Sequence, residues 1–371
     1  MRVTAVTLRD FRNYERAEVA LGDALTVVVG PNGAGKTNLL EALYFGCTAR
    51  SPRTSNDREL VRRGAQVARV TVATAGEDEI SHFLEVGLAP GDGRVMRVDG
   101  AAVESMASTA ARPLVSVFFP ERLELVKGPP AARRAHLDHL VAALWPARAS
   151  TRAAYSQTLA QRNALLGRIR GGAASPASLG SWDAGLARHG WQLMLDRAEA
   201  LDLLGPVFAA RAGELGLPGE IWMRYRPRSG ASGVEGFASE LRERHGADLE
   251  RGFTAHGPHR DEVALIHDGV ALRSYGSQGQ QRVALLALLF AERDLLGAER
   301  GRRPLMLLDD VMSELDGARR ELLSDLLRLE GQSVVTATDR DHVPGAGGAG
   351  VNVIEVSAGE LRRTGAAWVP A

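Results

Sequence analysis

A single cysteine, Cys47, stands in 371 residues. That excludes an internal disulfide framework and a zinc site built on thiolates, and the residue reads as a small buried hydrophobe. No run approaches the roughly 18 uninterrupted apolar residues of a membrane-spanning helix, so no membrane partner is expected. The amino end, Met1-Arg2-Val3-Thr4, opens an alternating pattern and lacks the profile of a secretion signal. A cytoplasmic protein is the consistent expectation. An excess of either charge is missing too: 45 basic residues balance 45 acidic ones, so bulk charge does not announce a nucleic-acid binder. Lysine is nearly absent. Only Lys36 and Lys127 interrupt the use of arginine. A lysine in such a chain marks a place where a forked guanidinium does not serve, although for Lys127 chance suffices.

What is present is a changing periodicity. Val3, Ala5 and Thr7 alternate, and Leu25 to Val29 is a short β-branched run suited to a strand buried on both faces of a parallel sheet. Residues 38–47 read as helix. Residues 66–103 alternate between glycine turns and read as antiparallel strands, and Val115 to Phe119 is a strand stopped by Pro120. From 131 to 250 the texture is rich in alanine, leucine and arginine with helical spacing. Breaks at Pro146, Gly171-Gly172, Pro176, Gly205-Pro206 and Pro218 exclude one long coiled coil. Strand–helix alternation then returns, with apolar runs at Leu305–Leu308 and Ser333–Thr336. The expected architecture is one discontinuous α/β domain, 1–130 plus 251–371, with a compact helical domain, 131–250, inserted in it.

Three motifs carry chemistry. Gly30-Pro31-Asn32-Gly33-Ala34-Gly35-Lys36-Thr37 is G-x-x-x-x-G-K-[ST] between a strand and a helix. Its glycines let backbone N–H groups turn toward phosphates; Lys36 reaches the β- and γ-phosphates and the Thr37 hydroxyl ligates Mg²⁺. The predicted ligand is therefore ATP with Mg²⁺. Leu305-Met306-Leu307-Leu308-Asp309-Asp310 is an apolar strand ending in two carboxylates. Asp309 is placed for Mg²⁺, and Asp310 for polarising an attacking water. Asp310 is shorter than a glutamate, which suits slow hydrolysis. The third motif, Tyr275-Gly276-Ser277-Gln278-Gly279-Gln280-Gln281-Arg282, precedes a strongly helical stretch. Ser277 and Gln280 have capping-box spacing, and the same helix start could also bind a γ-phosphate. Gly276 and Gly279 would then permit close approach.

Taken together, the three motifs resemble the ABC-type ATPases. Ser277-Gln278-Gly279-Gln280 is similar to that family's signature motif and Ser313-Glu314-Leu315-Asp316 to its D-loop. Leu8-Arg9-Asp10-Phe11-Arg12-Asn13-Tyr14 is similar to the opening strand of the SMC/Rad50 branch. Lys36-Thr37-Asn38-Leu39-Leu40-Glu41-Ala42, Arg53-Thr54-Ser55, Val126 to Pro129 with Arg133-Arg134, and Gly257-Pro258-His259-Arg260-Asp261 narrow the resemblance to the RecF family of recombination mediators. It covers nearly the whole chain. The resemblance implies an ABC-type head in which Arg12, Asn13 and Asn38 join the nucleotide set. It implies ATP held between Lys36 of one copy and Ser277 of another, in an ATP-dependent homodimer that clamps duplex or gapped DNA. It implies weak, DNA-stimulated hydrolysis, and partnership with RecO, RecR and RecA in repair, replication and the SOS response. Two family features are missing. No histidine follows the strand at 333–336 where the switch loop falls; Thr338 or Asp339 is there and His342 comes late. Pro120-Glu121 stands where a Q-loop glutamine is expected.

For DNA, Arg50, Arg53, Arg58, Arg62 and Arg63, with Arg133 and Arg134, are candidate phosphate contacts. His256 and His259 could form a metal pair, but a polar network is the better reading. A transporter motor subunit is a rival function, disfavoured because it predicts a signature only about 100 residues after the P-loop. A small-molecule kinase would not need Ser277 to Gln280.

Overall fold

Alternation at the amino end produces the antiparallel hairpin of β1 (Arg2–Phe11) and β2 (Tyr14–Ala20), and the β-branched run becomes β3 (Leu25–Val29). The computed structural model describes residues 1–76, 79–106, 109–329 and 331–364. After β3 come α1 (Lys36–Thr48), β4 (Ala68–Ala75), β5 (Ser81–Ala89), β6 (Gly93–Val98), β7 (Ala101–Ala102) and β8 (Val115–Phe118). The middle of the chain holds α2 (Glu124–Lys127), α3 (Pro130–Leu144), α4 (Ala149–Arg170), α5 (Leu179–Glu214), β9 (Ile221–Arg226), α6 (Val234–Glu243) and α7 (His245–Arg251). β10 (Glu262–His267), β11 (Val270–Ala271), α8 (Leu272–Tyr275) and α9 (Gln278–Arg300) follow. The chain then forms β12 (Leu305–Leu308), α10 (Gly317–Leu329), β13 (Ser333–Ala337), β14 (Val351–Ser357) and β15 (Glu360–Thr364).

The chain divides into two compact units. The first comprises residues 1–122, 214–216 and 300 onward; the second comprises 123–213 and 217–299. This differs from the boundaries drawn at 130 and 250. The reason is β9, inside the stretch read as purely helical. Ile221 to Arg226 alternates with period two between Gly219 and Pro227, and β10 pairs with it along its whole length. That pairing keeps residues 251–299 with the helices, not with the parallel sheet.

In the first unit, an antiparallel sheet of order β2-β1-β4-β5-β6-β7 and a mainly parallel sheet of order β15-β14-β3-β13-β12-β8 share one core with α1. Leu39, Leu40, Leu43 and Phe45 of α1 are buried with Val6, Leu8, Val70 and Val72 of one sheet and Val28, Leu307 and Val334 of the other. A helix buried on two sides needs apolar residues most of the way round, which this segment supplies. Gln332 ties the layers. Its amide bonds both the N–H and C=O of Val3, at 2.8 and 2.6 Å, and the C=O of Gly22 at 2.8 Å.

The second unit has its own core around Tyr155, Leu186, Leu193, Phe237 and Leu241. Buried guanidiniums there are paired, as burial of charge requires: Arg162 meets Asp183 and Asp248, both at 2.8 Å, and Arg197 meets Asp138 at 2.7 Å. His256 bonds Glu240, and His259 bonds the Tyr155 hydroxyl and the Thr254 carbonyl. The two histidines are therefore held in a polar network. No helix among the described residues is long and apolar enough to cross a membrane.

Candidate nucleotide-binding site

β3, β13 and β12 run parallel, so the loops at their carboxyl ends emerge on one edge of the sheet. The loop after β3 is the glycine motif. Pro31, Asn32 and Gly33 form an exposed rim, whereas Ala34, Gly35 and Lys36 are buried. Two positions admit no side chain. A Cβ on Gly30, at φ 155°, would lie 2.2 Å from the Val356 oxygen, and one on Gly35, at φ 120°, 2.6 Å from Asn13 Nδ2. α1 starts at Lys36, whose Nζ donates to the carbonyls of Gly30 at 2.6 Å and Pro31 at 3.1 Å. The ammonium thus lies within its own loop. Burial pushes its pKa down, while the nearby charges of Asp310 and Asp309 pull it back up.

The strand-end carboxylate arrives from 272 residues away. Thr37 Oγ1 donates to Asp309 Oδ2 at 2.8 Å and Oδ1 at 3.0 Å. From β13, which lies between β3 and β12, the Thr336 hydroxyl donates to Asp309 Oδ1 at 2.8 Å and accepts the Asp310 N–H at 2.8 Å. Asp310 takes a left-handed conformation at φ 47°, which ends the strand. Burial holds the Asp309 pKa above the usual carboxylate range, against the hydroxyls of Thr336 and Thr37, which lower it. A hydroxyl and a carboxylate are the hard oxygen donors Mg²⁺ prefers, and a cation would relieve the buried charge. Among the described residues no cluster of three or more His, Cys, Asp or Glu could hold a metal.

The β1–β2 turn completes this edge. Asn13 Nδ2 donates to the Ala34 carbonyl at 3.0 Å, the Tyr14 hydroxyl to the Gly35 carbonyl at 2.9 Å, and Asn38 Nδ2 to Asn13 Oδ1 at 2.8 Å. Arg12 does not point its donors freely. Its guanidinium makes two 2.8 Å bonds to Glu41, one helical turn after Thr37. Glu41 is fully buried and also accepts from Arg53 at 3.1 Å and Ser51 at 2.6 Å. The sequence reading missed Glu41, Tyr14 and Thr336 as site residues. Glu41 had a signal: an acid flanked by Leu39, Leu40, Ala42 and Leu43 must find cationic partners in the core.

The signature segment belongs to the second unit. Ser277 and Gln280 form a reciprocal capping box: the Ser277 N–H donates to Gln280 Oε1 at 2.8 Å and the Gln280 N–H to Ser277 Oγ at 3.2 Å. Ser277 stays exposed at this helix start. Gly276 serves packing and not ligand approach, because a Cβ there would sit 2.5 Å from a Leu272 methyl; a Cβ on Gly279 would meet only the Ser277 hydroxyl, at 4.0 Å. Beyond Asp310, the Ser313 hydroxyl donates to the Asp310 carbonyl at 2.9 Å, and Asp316 accepts the Arg319 N–H at 3.0 Å. A short turn folds His342 back onto the Thr338 hydroxyl at 3.1 Å, so the late histidine still lies beside the residue after β13. The Glu121 side chain lies outside the described residues.

The arginines proposed for DNA fall in different settings. Arg50, Arg53, Arg58 and Arg63 are exposed. Arg53 bonds Glu41 and Asn38, and Arg62 bonds Asp10 at 2.6 Å, so both are tied into the first unit. Arg133 is a correction. It is 5% exposed and bonds Glu262 and the Gly128 carbonyl, so its donors are committed inside the unit and do not meet an external phosphate. Arg134 is part-buried and gives one donor to the Asp261 carbonyl at 2.6 Å.

Comparison with known proteins agrees with this geometry. The model of the RecF/RecN/SMC N-terminal domain family matches residues 2–360. A DNA replication and repair protein RecF from Streptomyces avermitilis is 38% identical over 359 residues, covering 93% of this chain and 95% of its own. One from an Anaeromyxobacter species is 38% identical, covering 97% and 98%. A solved structure of the recombination mediator protein RecF-ATP in the RecFOR pathway superposes with a TM-score of 0.86 at 28% identity, over 98% of this chain and 97% of that one. An Smc head bound to the C-terminal winged-helix domain of ScpA, at 16% identity and a TM-score of 0.59, matches in fold alone.

Proposed function

The chain belongs to the RecF family of DNA replication and repair proteins, and on that premise we propose that it is an ATP-gated DNA clamp acting as a recombination mediator. Its fold is the SMC/ABC ATPase head. The observation that carries the reading is the meeting of Thr37 and Asp309 at 2.8 Å beside a P-loop lysine. Lys36 exchanges the carbonyls of Gly30 and Pro31 for the β- and γ-phosphates. Thr37 and Asp309 would hold Mg²⁺, which supplies charge neutralisation of the phosphates when bound. Asp310 orients the attacking water, and its short side chain keeps hydrolysis slow. Ser277 of a second copy caps the γ-phosphate from the far side, with the first-turn N–H groups of Gln278 and Gly279 that lie outside the capping box. Closure of two copies traps duplex or gapped DNA, and hydrolysis releases it. RecO, RecR and RecA are the partners that fit a RecF-family mediator.

The test is sedimentation and DNA binding, with and without ATP and Mg²⁺. Wild type should dimerise and bind gapped duplex only with the nucleotide. Lys36→Met should lose both. Ser277→Arg should keep ATP binding as a monomer and lose dimerisation. Dimers persisting in the Ser277→Arg protein would rule out the site shared between copies.

A further inference from the structure

Strand register places like charges directly opposite one another on the antiparallel sheet. Arg9 of β1 stands across from Arg16 of β2 on one side and Arg69 of β4 on the other. The row continues through Gly87 of β5 to Val95 of β6. Val6, Leu8, Val70 and Val72 on the other face are buried in the core. Alternation therefore sends the three arginines outward, and all three are exposed. Opposed like charges weaken a sheet, so the row costs stability unless something outside the fold meets it.

Acidic side chains do not cancel the row. Arg69 has Glu85 at 3.9 Å, but Glu85 is shared with Arg97 at 3.5 Å. Asp10, the next residue after Arg9, is held by Arg62 at 2.6 Å. Glu18 lies in the adjacent row, opposite Thr7. Neither Arg9 nor Arg16 has an ion-pair partner among the described residues.

We propose that Arg16, Arg9 and Arg69 form a contact surface for the phosphate backbone of a nucleic-acid duplex. The proposal rests on the DNA-clamp reading and assigns part of its DNA surface. Neighbouring strands lie about 4.8 Å apart, so the row spans roughly 10 Å of sheet. Three long, exposed guanidiniums over that span reach successive phosphates, which they bind in forked, charge-assisted pairs. The sheet face offers charge in a line, and the exposed apolar side chains near it, Val67, Phe83 and Val95, stand singly and not as one patch. That suits a regular polyanion better than an acidic protein segment, whose affinity needs buried apolar anchors. These arginines are distinct from Arg50, Arg58 and Arg63 of the following loop.

The experiment compares the full-length wild type with a triple variant, Arg9→Thr, Arg16→Thr and Arg69→Thr, which keeps β-forming residues at all three positions. Fluorescence anisotropy of a labelled duplex in ATP and Mg²⁺ is measured from 50 to 400 mM salt. Each lost phosphate contact removes about 0.9 from the slope of log affinity against log salt, so the triple variant should lose about 2.7 and bind roughly 10²-fold more weakly at 0.1 M salt. ATP affinity without DNA should stay at the wild-type value, and the melting temperature should be equal or higher because the opposed charges are gone. Should the triple variant fold poorly, Arg9→Thr alone carries the test, with an expected slope loss of about 0.9. Wild-type slope in the variants overturns the proposal. So does loss of polyglutamate binding with duplex binding intact, which would identify an acidic-protein surface. Failure of the wild type to bind duplex at any salt would instead remove the clamp reading on which the proposal stands.

Discussion

Replacing Glu41 by alanine tests whether the nucleotide edge is assembled around one buried charge. Glu41 is fully buried and accepts two 2.8 Å bonds from Arg12, one of 3.1 Å from Arg53 and one of 2.6 Å from Ser51. Removing one partner of a buried ion pair costs about 3–5 kcal/mol, because the surviving charge is left unpaired in a poor solvent. Here the guanidiniums keep some water, with side chains 17% and 30% exposed for Arg12 and Arg53. The lower end, about 3 kcal/mol, is therefore expected. At about 2–4 °C per kcal/mol for a unit of this size, the melting transition should fall by about 6–12 °C. Glu41→Gln keeps the volume and one acceptor, so it should fall about half as far. Differential scanning calorimetry in 50 and 500 mM salt is the assay, and the drop should be the same in both, since a buried pair is little screened. A Glu41→Ala protein melting within 2 °C of wild type, or a loss that vanishes in high salt, refutes the reasoning and makes the cluster an ordinary surface array.

Three other outcomes follow from the geometry. Burial raises the Asp309 pKa, so the folded protein binds that proton more tightly than the unfolded chain; stability from this group is greatest below the ordinary carboxylate pKa and falls as pH rises through the folded value. Asp309→Asn should then melt higher than wild type near pH 7, with the gap closing near pH 4, yet gain nothing from ATP and Mg²⁺; equal melting curves at every pH count against it. Burial lowers the His259 pKa to about 4, so stability present above the ordinary value of about 6.5 is lost as pH falls from there to about 4, amounting to ~3 kcal/mol. His259→Gln should flatten that window in urea titrations, and an unchanged slope would show that the ring protonates in the folded state. Tyr14→Phe strands the Gly35 carbonyl inside the P-loop; a loss of about 1–3 kcal/mol and weaker ATP binding by calorimetry are expected, and wild-type values for both would make that bond incidental.

Much of this site could be read before any coordinates, and the reason is local. The P-loop is a contiguous motif whose glycines, lysine and threonine each do one thing, and Asp309 ends an uninterrupted apolar strand. Ser277 and Gln280 declare a capping box by spacing alone, and the structure forms it in both directions. What escaped depends on partners far away in sequence. Thr336 looks like one more β-branched strand residue until β13 is placed between β3 and β12, where its hydroxyl serves Asp309 and Asp310. Arg133 reads as surface charge until β10 brings Glu262 beside it, 129 residues away. β9 escaped for a different reason: six alternating residues within a long helical texture were outvoted by their surroundings.

The same long-range placement explains how the amino-terminal hairpin acts on the nucleotide edge. Asp10 and Arg12 both adopt left-handed backbone, at φ 50° and 55°, which L-residues hold only when their surroundings insist. The surroundings are explicit: the Arg62 N–H bonds the Asp10 carbonyl, the Arg12 N–H bonds the Leu60 carbonyl, both at 2.8 Å, and Glu41 fixes the Arg12 side chain. The left-handed backbone at Asp10 lets Leu8 and Phe11, three apart, both be buried while the register with β2 stays unbroken. It also delivers Asn13 and Tyr14 to the carbonyls of Ala34 and Gly35. Arg9 and Arg16 lie on the same two strands a few residues from that turn.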